Sequence, residues 1–144
     1  MILAIVCSVV FLDQLSKLLA LNFLQLNTPL SLIKNFLYLT LVHNRGAAFG
    51  ILKNQLLLFI LISFFTILFI FYQLKNKKSR FLSKLSLSLI LAGAIGNLID
   101  RLRFGYVIDF LDLRFWPVFN LADSALTIGV IFLSWELLFN KNVT

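Results

Sequence analysis

Long apolar stretches alternate with short polar segments along the whole 144-residue chain. A hydrocarbon core about 30 Å thick is crossed by about 20 helical residues, and four stretches have that length. They cover approximately residues 2–21, 55–74, 82–100 and 121–140. The second is the least ambiguous, because no charged residue lies between positions 56 and 72. The pattern therefore predicts an all-α integral membrane protein with four transmembrane helices.

The segment between the first two stretches, residues 22–53, has a different character. Polar and turn-forming residues interrupt it repeatedly, and residues 36–42 are rich in aromatic and branched side chains before the turn-prone sequence HNRG. Such a run is typical of a short strand. We therefore predict a small β-containing lobe that lies on the membrane surface.

The composition supports a membrane protein and excludes an ordinary soluble one. Hydrophobic residues make up 60% of the chain and charged residues 13%, against about 45–50% and about 25% in soluble domains. The net charge of +7 would suit a nucleic-acid partner, but the basic residues lie between the apolar stretches, so we predict no such partner. With one cysteine and one histidine, the sequence predicts neither a disulfide framework nor a metal cluster.

The basic residues predict which way the helices run. Residues 75–84 hold five basic side chains and no acidic one, which is typical of a short cytoplasmic loop. Both termini are then cytoplasmic, and the lobe at 22–53 and a loop at 101–120 are extracytoplasmic. No small-residue cleavage pattern follows the apolar start, so we interpret it as a retained helix. Residues 1–144 are then one membrane domain.

Residues 97–123, NLIDRLRFGYVIDFLDLRFWPVFNLAD, contain four of the six acidic residues. The predicted topology brings Asp100, Asp109 and Asp123 to one extracytoplasmic interface, where two carboxylates can approach and share a proton. An aspartic hydrolase needs that arrangement, because one carboxylate takes a proton from water while its protonated neighbour hydrogen-bonds the scissile carbonyl.

Each acid also has a purely structural explanation. Asp100 precedes Arg101 and could be a salt-bridged helix end, whereas Asp112 lies near Arg114 and is expected to be solvated. Asp123 stands at a helix start, where the helix dipole favours an acid in any case.

Two other classes of protein stay open at this point. Acids in membrane segments also mark ion paths, so a small transporter or proton-conducting subunit is one alternative, and a non-enzymatic assembly or anchoring protein is another. Only Asp13 is a candidate for the membrane depth that transport favours. Asp13 and Lys17 are four residues apart and share a helix face, so they form either a simple intrahelical ion pair or a support for polar groups inside the bundle.

Five short motifs occur in one order along the chain: DQLSK at 13–17, NRGAAFG at 44–50, AGAIGNLIDR at 92–101, VIDF at 107–110 and FNLAD at 119–123. Together they resemble the lipoprotein signal peptidase family, the type II bacterial signal peptidases. The segment at 111–118, between the last two motifs, is a few residues shorter than the family pattern.

The resemblance implies a role for each motif residue. In that family the catalytic pair comes from the VxDF and NxAD motifs, which implies that Asp109 and Asp123 are catalytic. The residues implied to line the site, orient its groups or hold the first helix in the bundle are Asn44, Gly46, Asn97, Asp100, Arg101, Asn120, Asp13 and Lys17. The lobe at 22–53 corresponds to the β-cradle of the family.

The same resemblance implies a membrane aspartic endopeptidase. Its substrates would be diacylglyceryl-modified prolipoproteins, whose signal peptide is removed by cleavage before the lipidated cysteine. No metal and no organic cofactor is implied. We expect a monomer in contact with membrane lipids, located in the bacterial cytoplasmic (inner) membrane with its active site on the extracytoplasmic face.

Overall fold

The computed structural model describes residues 1–46, 52–75 and 80–139. In these ranges it contains four helices and three strands. The helices are α1 (Ile2–Phe23), α2 (Leu56–Leu74), α3 (Phe81–Phe104) and α4 (Leu121–Phe139), and the strands are β1 (Leu30–Ile33), β2 (Leu37–Asn44) and β3 (Val107–Asp112). Each of these helices is long and apolar enough to cross a membrane. The predicted fold class, a four-helix membrane protein with a small β-containing lobe, is confirmed.

Helix α3 is the centre of the bundle. It packs against α1, α2 and α4. More than half of the residues in its most apolar 18-residue stretch are buried inside the protein, whereas fewer than a quarter are buried in the corresponding stretch of each other helix. Six of its eleven buried residues are Gly, Ala or Ser, which let neighbouring backbones approach closely. Two of these, Ser86 and Ser88, donate their hydroxyl hydrogens to the carbonyl oxygens of Leu82 and Lys84. The hydrogen-bonding groups of these serines are therefore satisfied within α3 itself, and they need no partner on a neighbouring helix.

Glycines set the close approach of α3 and α4. A Cβ atom added at Gly129 would lie 2.7 Å from Ile90 Cγ1 and 2.8 Å from the carbonyl oxygen of Ser86. A Cβ atom added at Gly93 would collide with the carbonyl oxygen of Ala122. This approach holds the beginning of α4 against the polar end of α3.

The three strands form one antiparallel sheet in the order β1-β2-β3. The strand predicted at 36–42 corresponds to β2. The third strand corrects the prediction of a loop at 101–120, because α3 continues to Phe104, Gly105 ends it in the left-handed region (φ +77°), and β3 pairs with β2. The reason for the error is that the buried run VIDF is too short for periodicity to separate a strand from an apolar turn or helix end.

We predict that Gly129→Ala lowers the free energy of unfolding by about 1–3 kcal/mol, because the new methyl group has no room against α3. Thermal unfolding in detergent micelles measures the change. Ile128→Ala is the matched control, since Ile128 lies next to it in α4 with its side chain exposed. Equal melting temperatures for the two variants would contradict the close packing.

Candidate active site

A buried ammonium group lies between α1 and α3. Lys17 Nζ lies 2.9 Å from Asp13 Oδ2 and 2.8 Å from Asp100 Oδ2, and it donates a hydrogen bond to Asn97 Oδ1 at 3.0 Å. These three contacts match the three hydrogens of the ammonium group. Asp13 and Lys17 therefore form an intrahelical ion pair that also supports polar groups of the bundle, so both structural explanations of their spacing apply.

The two carboxylates of this cluster reach further elements of the fold. Asp13 Oδ1 accepts a hydrogen bond from the backbone N–H of Ala122 in the first turn of α4. Asp100 Oδ2 accepts one from the backbone N–H of Ile108 in β3. Asp100 thus forms an ion pair with Lys17 and a hydrogen bond with the backbone of β3. The cluster fixes α3 relative to the two elements that carry Asp109 and Asp123.

Asp109 lies in β3 and is almost completely buried. Its Oδ1 accepts a hydrogen bond from Asn120 Nδ2 at 2.7 Å, and its Oδ2 accepts one from Asn44 Nδ2 at 2.8 Å. Burial, and next to it the nearby charge of Asp123, raises the pKa of Asp109 from 3.8 to about 7. Asp109 can therefore hold a proton near neutral pH.

Asp123 lies in the first turn of α4, where the positive end of the helix dipole favours a carboxylate. Its Oδ1 accepts a hydrogen bond from Asn97 Nδ2 at 2.7 Å. Its backbone N–H donates to Asn120 Oδ1 at 2.9 Å, so that Asn120 caps the helix. The fully buried side chain of Asn120 therefore contacts the carboxylate of Asp109 through its NH₂ group and the backbone N–H of Asp123 through its oxygen.

Both carboxylates line one cavity of about 230 Å³, where the sheet meets α3 and α4. The other residues that line it are Asn44, Gly46, Asn97, Arg101, Val107, Trp116, Pro117, Val118, Phe119, Leu126 and Thr127. The guanidinium group of Arg101 also packs over the ring of Phe59 in α2, 5.0 Å from its centroid. The lining of the cavity thus includes both polar and apolar side chains.

The structure sorts the predicted site residues into two layers. Both acids and the supporting residues Asn44, Gly46, Asn97 and Arg101 line the cavity. Asp13, Lys17 and Asp100 lie behind it in the buried cluster. Asn97 joins the two layers, because its Oδ1 accepts a hydrogen bond from Lys17 and its Nδ2 donates one to Asp123. Asn120 is absent from the lining of the cavity, but its Nδ2 donates to Asn97 Oδ1 and to Asp109 Oδ1.

Gln14 is a network residue that the sequence analysis missed. Its Nε2 donates to Asp13 Oδ2 and to Asp100 Oδ1, and so it bridges the two carboxylates that flank Lys17. Its position inside the DQLSK motif was the available signal.

The prediction that Asp112 is solvated is wrong. Its side chain is buried, and it accepts hydrogen bonds from Thr40 Oγ1 at 2.7 Å and from the backbone N–H of Arg114 at 2.9 Å. The prediction assumed that Asp112 lies in a loop. It lies instead in β3, where the paired strand β2 covers its side chain. Asp112 is absent from the lining of the cavity.

The arrangement supplies acid–base chemistry. Two carboxylates in unlike surroundings open into one cavity, and such pairs divide acid and base roles between their members. Within the described ranges, His, Cys, Asp and Glu side chains do not assemble into a group of three or more that could hold a metal ion.

A fold of four helices that can span a membrane, with two carboxylates in one cavity beside a small sheet, defines a multi-pass membrane protein. The family model described as signal peptidase (SPase) II matches residues 5–139. The chain therefore belongs to the signal peptidase II family, which makes it a peptidase.

Curated relatives and solved structures agree with this family. The chain is 52% identical to the lipoprotein signal peptidase of Moorella thermoacetica over 131 residues, which cover 90% of this chain and 87% of the relative. It is 47% identical to that of Halothermothrix orenii, with 92% of each chain covered. A solved bacterial membrane enzyme structure at 2.3 Å superposes with a TM-score of 0.92 at 34% identity, with 99% of this chain and 92% of that chain covered. The protein is thus a multi-pass bacterial membrane protein.

We predict that Lys17→Met lowers the free energy of unfolding by about 3–5 kcal/mol, because two buried carboxylates lose their counter-charge. Thermal unfolding in detergent tests this prediction. Lys34→Met is the control, since Lys34 lies exposed in the turn between β1 and β2. A melting temperature for Lys17→Met as high as that of the control would mean that the cluster contributes little to stability.

Proposed function

We propose that this protein is a membrane aspartic endopeptidase that removes the signal peptide from diacylglyceryl-modified prolipoproteins by cleaving before the lipidated cysteine. The observation that carries the proposal is that Asp109 and Asp123 line one cavity, where Asn120 donates a hydrogen bond to the carboxylate of Asp109 and accepts one from the backbone N–H of Asp123. The family and the names of the relatives support the substrate class.

In the proposed reaction Asp123 is the base and Asp109 is the acid. Asp123 takes a proton from a water molecule, whose oxygen attacks the scissile carbonyl carbon, while the proton of Asp109 goes to the carbonyl oxygen. The tetrahedral intermediate then collapses, the C–N bond breaks, and the leaving nitrogen takes the proton from Asp123. The proton on the former carbonyl oxygen returns to Asp109, so that the pair is restored and one water molecule is consumed.

The surroundings of the two acids favour this division of roles. Burial raises the pKa of Asp109 to about 7, which keeps its proton available at neutral pH. Asp123 benefits from the helix start and from the amide of Asn97, whose oxygen in turn accepts a hydrogen bond from Lys17. The amides of Asn44 and Asn97 each donate to one acid, so they orient the carboxylates before substrate arrives.

We also propose that the cavity opens on the extracytoplasmic face. It lies where α3 ends and α4 begins, at the end of the bundle that carries the sheet, whereas α3 begins beside the basic segment 75–84. Positive loops of this kind are typically cytoplasmic. A lipid-anchored substrate presents its cleavage point at the membrane surface, which is where this topology puts the two acids. One chain supplies both acids, so we propose that it acts as a monomer in contact with membrane lipids.

We predict that Asp109→Asn and Asp123→Asn each reduce cleavage by roughly 10²–10⁴-fold or more, because each removes one proton-transfer group. The measurement is a gel-shift assay on a diacylglyceryl-modified prolipoprotein with purified enzyme in detergent.

Glu136→Gln is the matched control for these two variants. Glu136 is a buried carboxylate in α4 that accepts a hydrogen bond from Ser83 at the start of α3, remote from the cavity. It should keep wild-type activity. Normal cleavage by either aspartate variant would remove that aspartate from the mechanism.

The pH dependence of kcat/KM gives a second test of the roles. Asp109 loses its proton as the pH rises through about 7, and the ionised form cannot protonate the carbonyl oxygen. We therefore predict that kcat/KM falls on the alkaline side with an apparent pKa near 7, which belongs to the coupled pair as a whole. The melting temperature is measured over the same range to separate this fall from unfolding. A kcat/KM that keeps rising up to about pH 9 would contradict Asp109 as the acid.

A further inference from the structure

The segment between β3 and α4 is closed into a hairpin beside the cavity. The backbone N–H of Leu111 donates a hydrogen bond to the carbonyl oxygen of Phe119 at 2.8 Å. In return, the backbone N–H of Phe119 donates one to the carbonyl oxygen of Leu111 at 3.0 Å. We call residues 113–118 the cavity loop. Within it, the N–H of Phe115 donates to the carbonyl oxygen of Leu113. The loop thus has both ends fixed.

Asp112 attaches the base of the cavity loop to the neighbouring strand. Its Oδ2 accepts from Thr40 Oγ1 in β2, while its Oδ1 accepts from the backbone N–H of Arg114. The guanidinium group of Arg114 packs over the ring of Tyr38, also in β2, 3.7 Å from the ring centroid. Buried carboxylates are costly unless they are paired, and here the pairing holds the loop in one position.

Trp116 is the largest side chain that this loop contributes to the cavity. It is followed by Pro117, which restricts the backbone of the preceding residue. Its side chain is 54% exposed although it is large and apolar. The tryptophan is thus a bulky group presented on a fixed backbone at the cavity that contains both acids.

The size of the cavity limits what it can receive. At about 230 Å³ it is smaller than the roughly 300–1,000 Å³ of common ligand pockets. A diacylglyceryl-modified cysteine could not be enclosed there. The residue on the other side of the cleaved bond, which comes just before that cysteine, is the part of the substrate that a cavity of this size can hold.

We propose that Trp116 is a specificity-determining residue that limits the size of the substrate side chain immediately before the cleaved bond. This inference rests on the proposed function. Asp112 and Arg114 fix the backbone that carries the indole, so a large side chain at this substrate position would meet it. The selectivity is directed against large side chains and needs no hydrogen bond to the substrate.

Tryptophan also occurs in proteins as an anchor at the membrane–water interface, and this role would require no contact with substrate. Phe115 separates the two roles. It is the adjacent loop residue and is 74% exposed, but it is not among the residues that line the cavity. An interfacial anchor would make the two aromatic residues equivalent, whereas a cavity wall makes only Trp116 selective.

The experiment compares two diacylglyceryl-modified prolipoproteins that differ only in having Ala or Leu immediately before the modified cysteine. The wild type, Trp116→Ala, Trp116→Phe and Phe115→Ala are assayed on both, and the measured quantity is the ratio of kcat/KM for the Leu substrate to that for the Ala substrate. Trp116→Ala should raise this ratio by about tenfold or more. Trp116→Phe should raise it less, and Phe115→Ala should leave it unchanged.

The outcomes separate this inference from the function on which it rests. If the wild type cleaves the Ala substrate but neither Trp116 variant changes the ratio, the proposal for Trp116 is overturned and the function stands. The same holds if Phe115→Ala changes the ratio as much as Trp116→Ala. Trp116→Phe retains an aromatic ring and decides the matter should the Ala variant fail to fold. A folded wild type that cleaves neither substrate would overturn the function and the inference together.

Discussion

The contact of the Lys17 ammonium group with two carboxylates is the interaction on which the rest of the structure depends. Burying charges is costly unless each has partners with good geometry, and in a bilayer no water is available to replace them. Lys17 satisfies the condition with Asp13, Asp100 and Asn97. The two carboxylates then accept backbone N–H groups from α4 and β3. The carboxylates that neutralise Lys17 thus also fix the positions of the first turn of α4 and of β3.

The buried cluster makes the surroundings of Asp123 different from those of Asp109. Asn97 accepts a hydrogen bond from Lys17 and donates one to Asp123, so the buried positive charge is linked to that acid through a single amide. Asp109 receives its hydrogen bonds from neutral amides in the sheet and the connecting segment. Two identical side chains therefore have different surroundings. Such a difference lets one member of a pair hold the proton while the other is ionised.

The membrane spans could be predicted from sequence because the bilayer imposes a length and a composition that few other environments require. The same topology brought Asp100, Asp109 and Asp123 to one end of the bundle, but it did not show which two would share a cavity, and that pairing came from the motif resemblance. Strand β3 could not be predicted, because its pairing with β2 is a contact between distant parts of the chain. The burial of Asp112 was missed for the same reason, since Thr40, its partner, is 72 positions away.

A small cavity would be sufficient for the proposed substrate, because the membrane would do part of the binding. A lipid-anchored peptide is confined to the membrane surface, where the proposed topology puts the acids, so its effective concentration would be high without an extensive protein–peptide interface. The energy otherwise needed for capture is then available for orientation, which demands positions accurate to fractions of an ångström. Asn44 and Asn97 orient the acids, and the buried cluster holds Asn97 in turn. The buried cluster around Lys17 therefore stabilises the fold and also fixes the positions of the proposed catalytic groups.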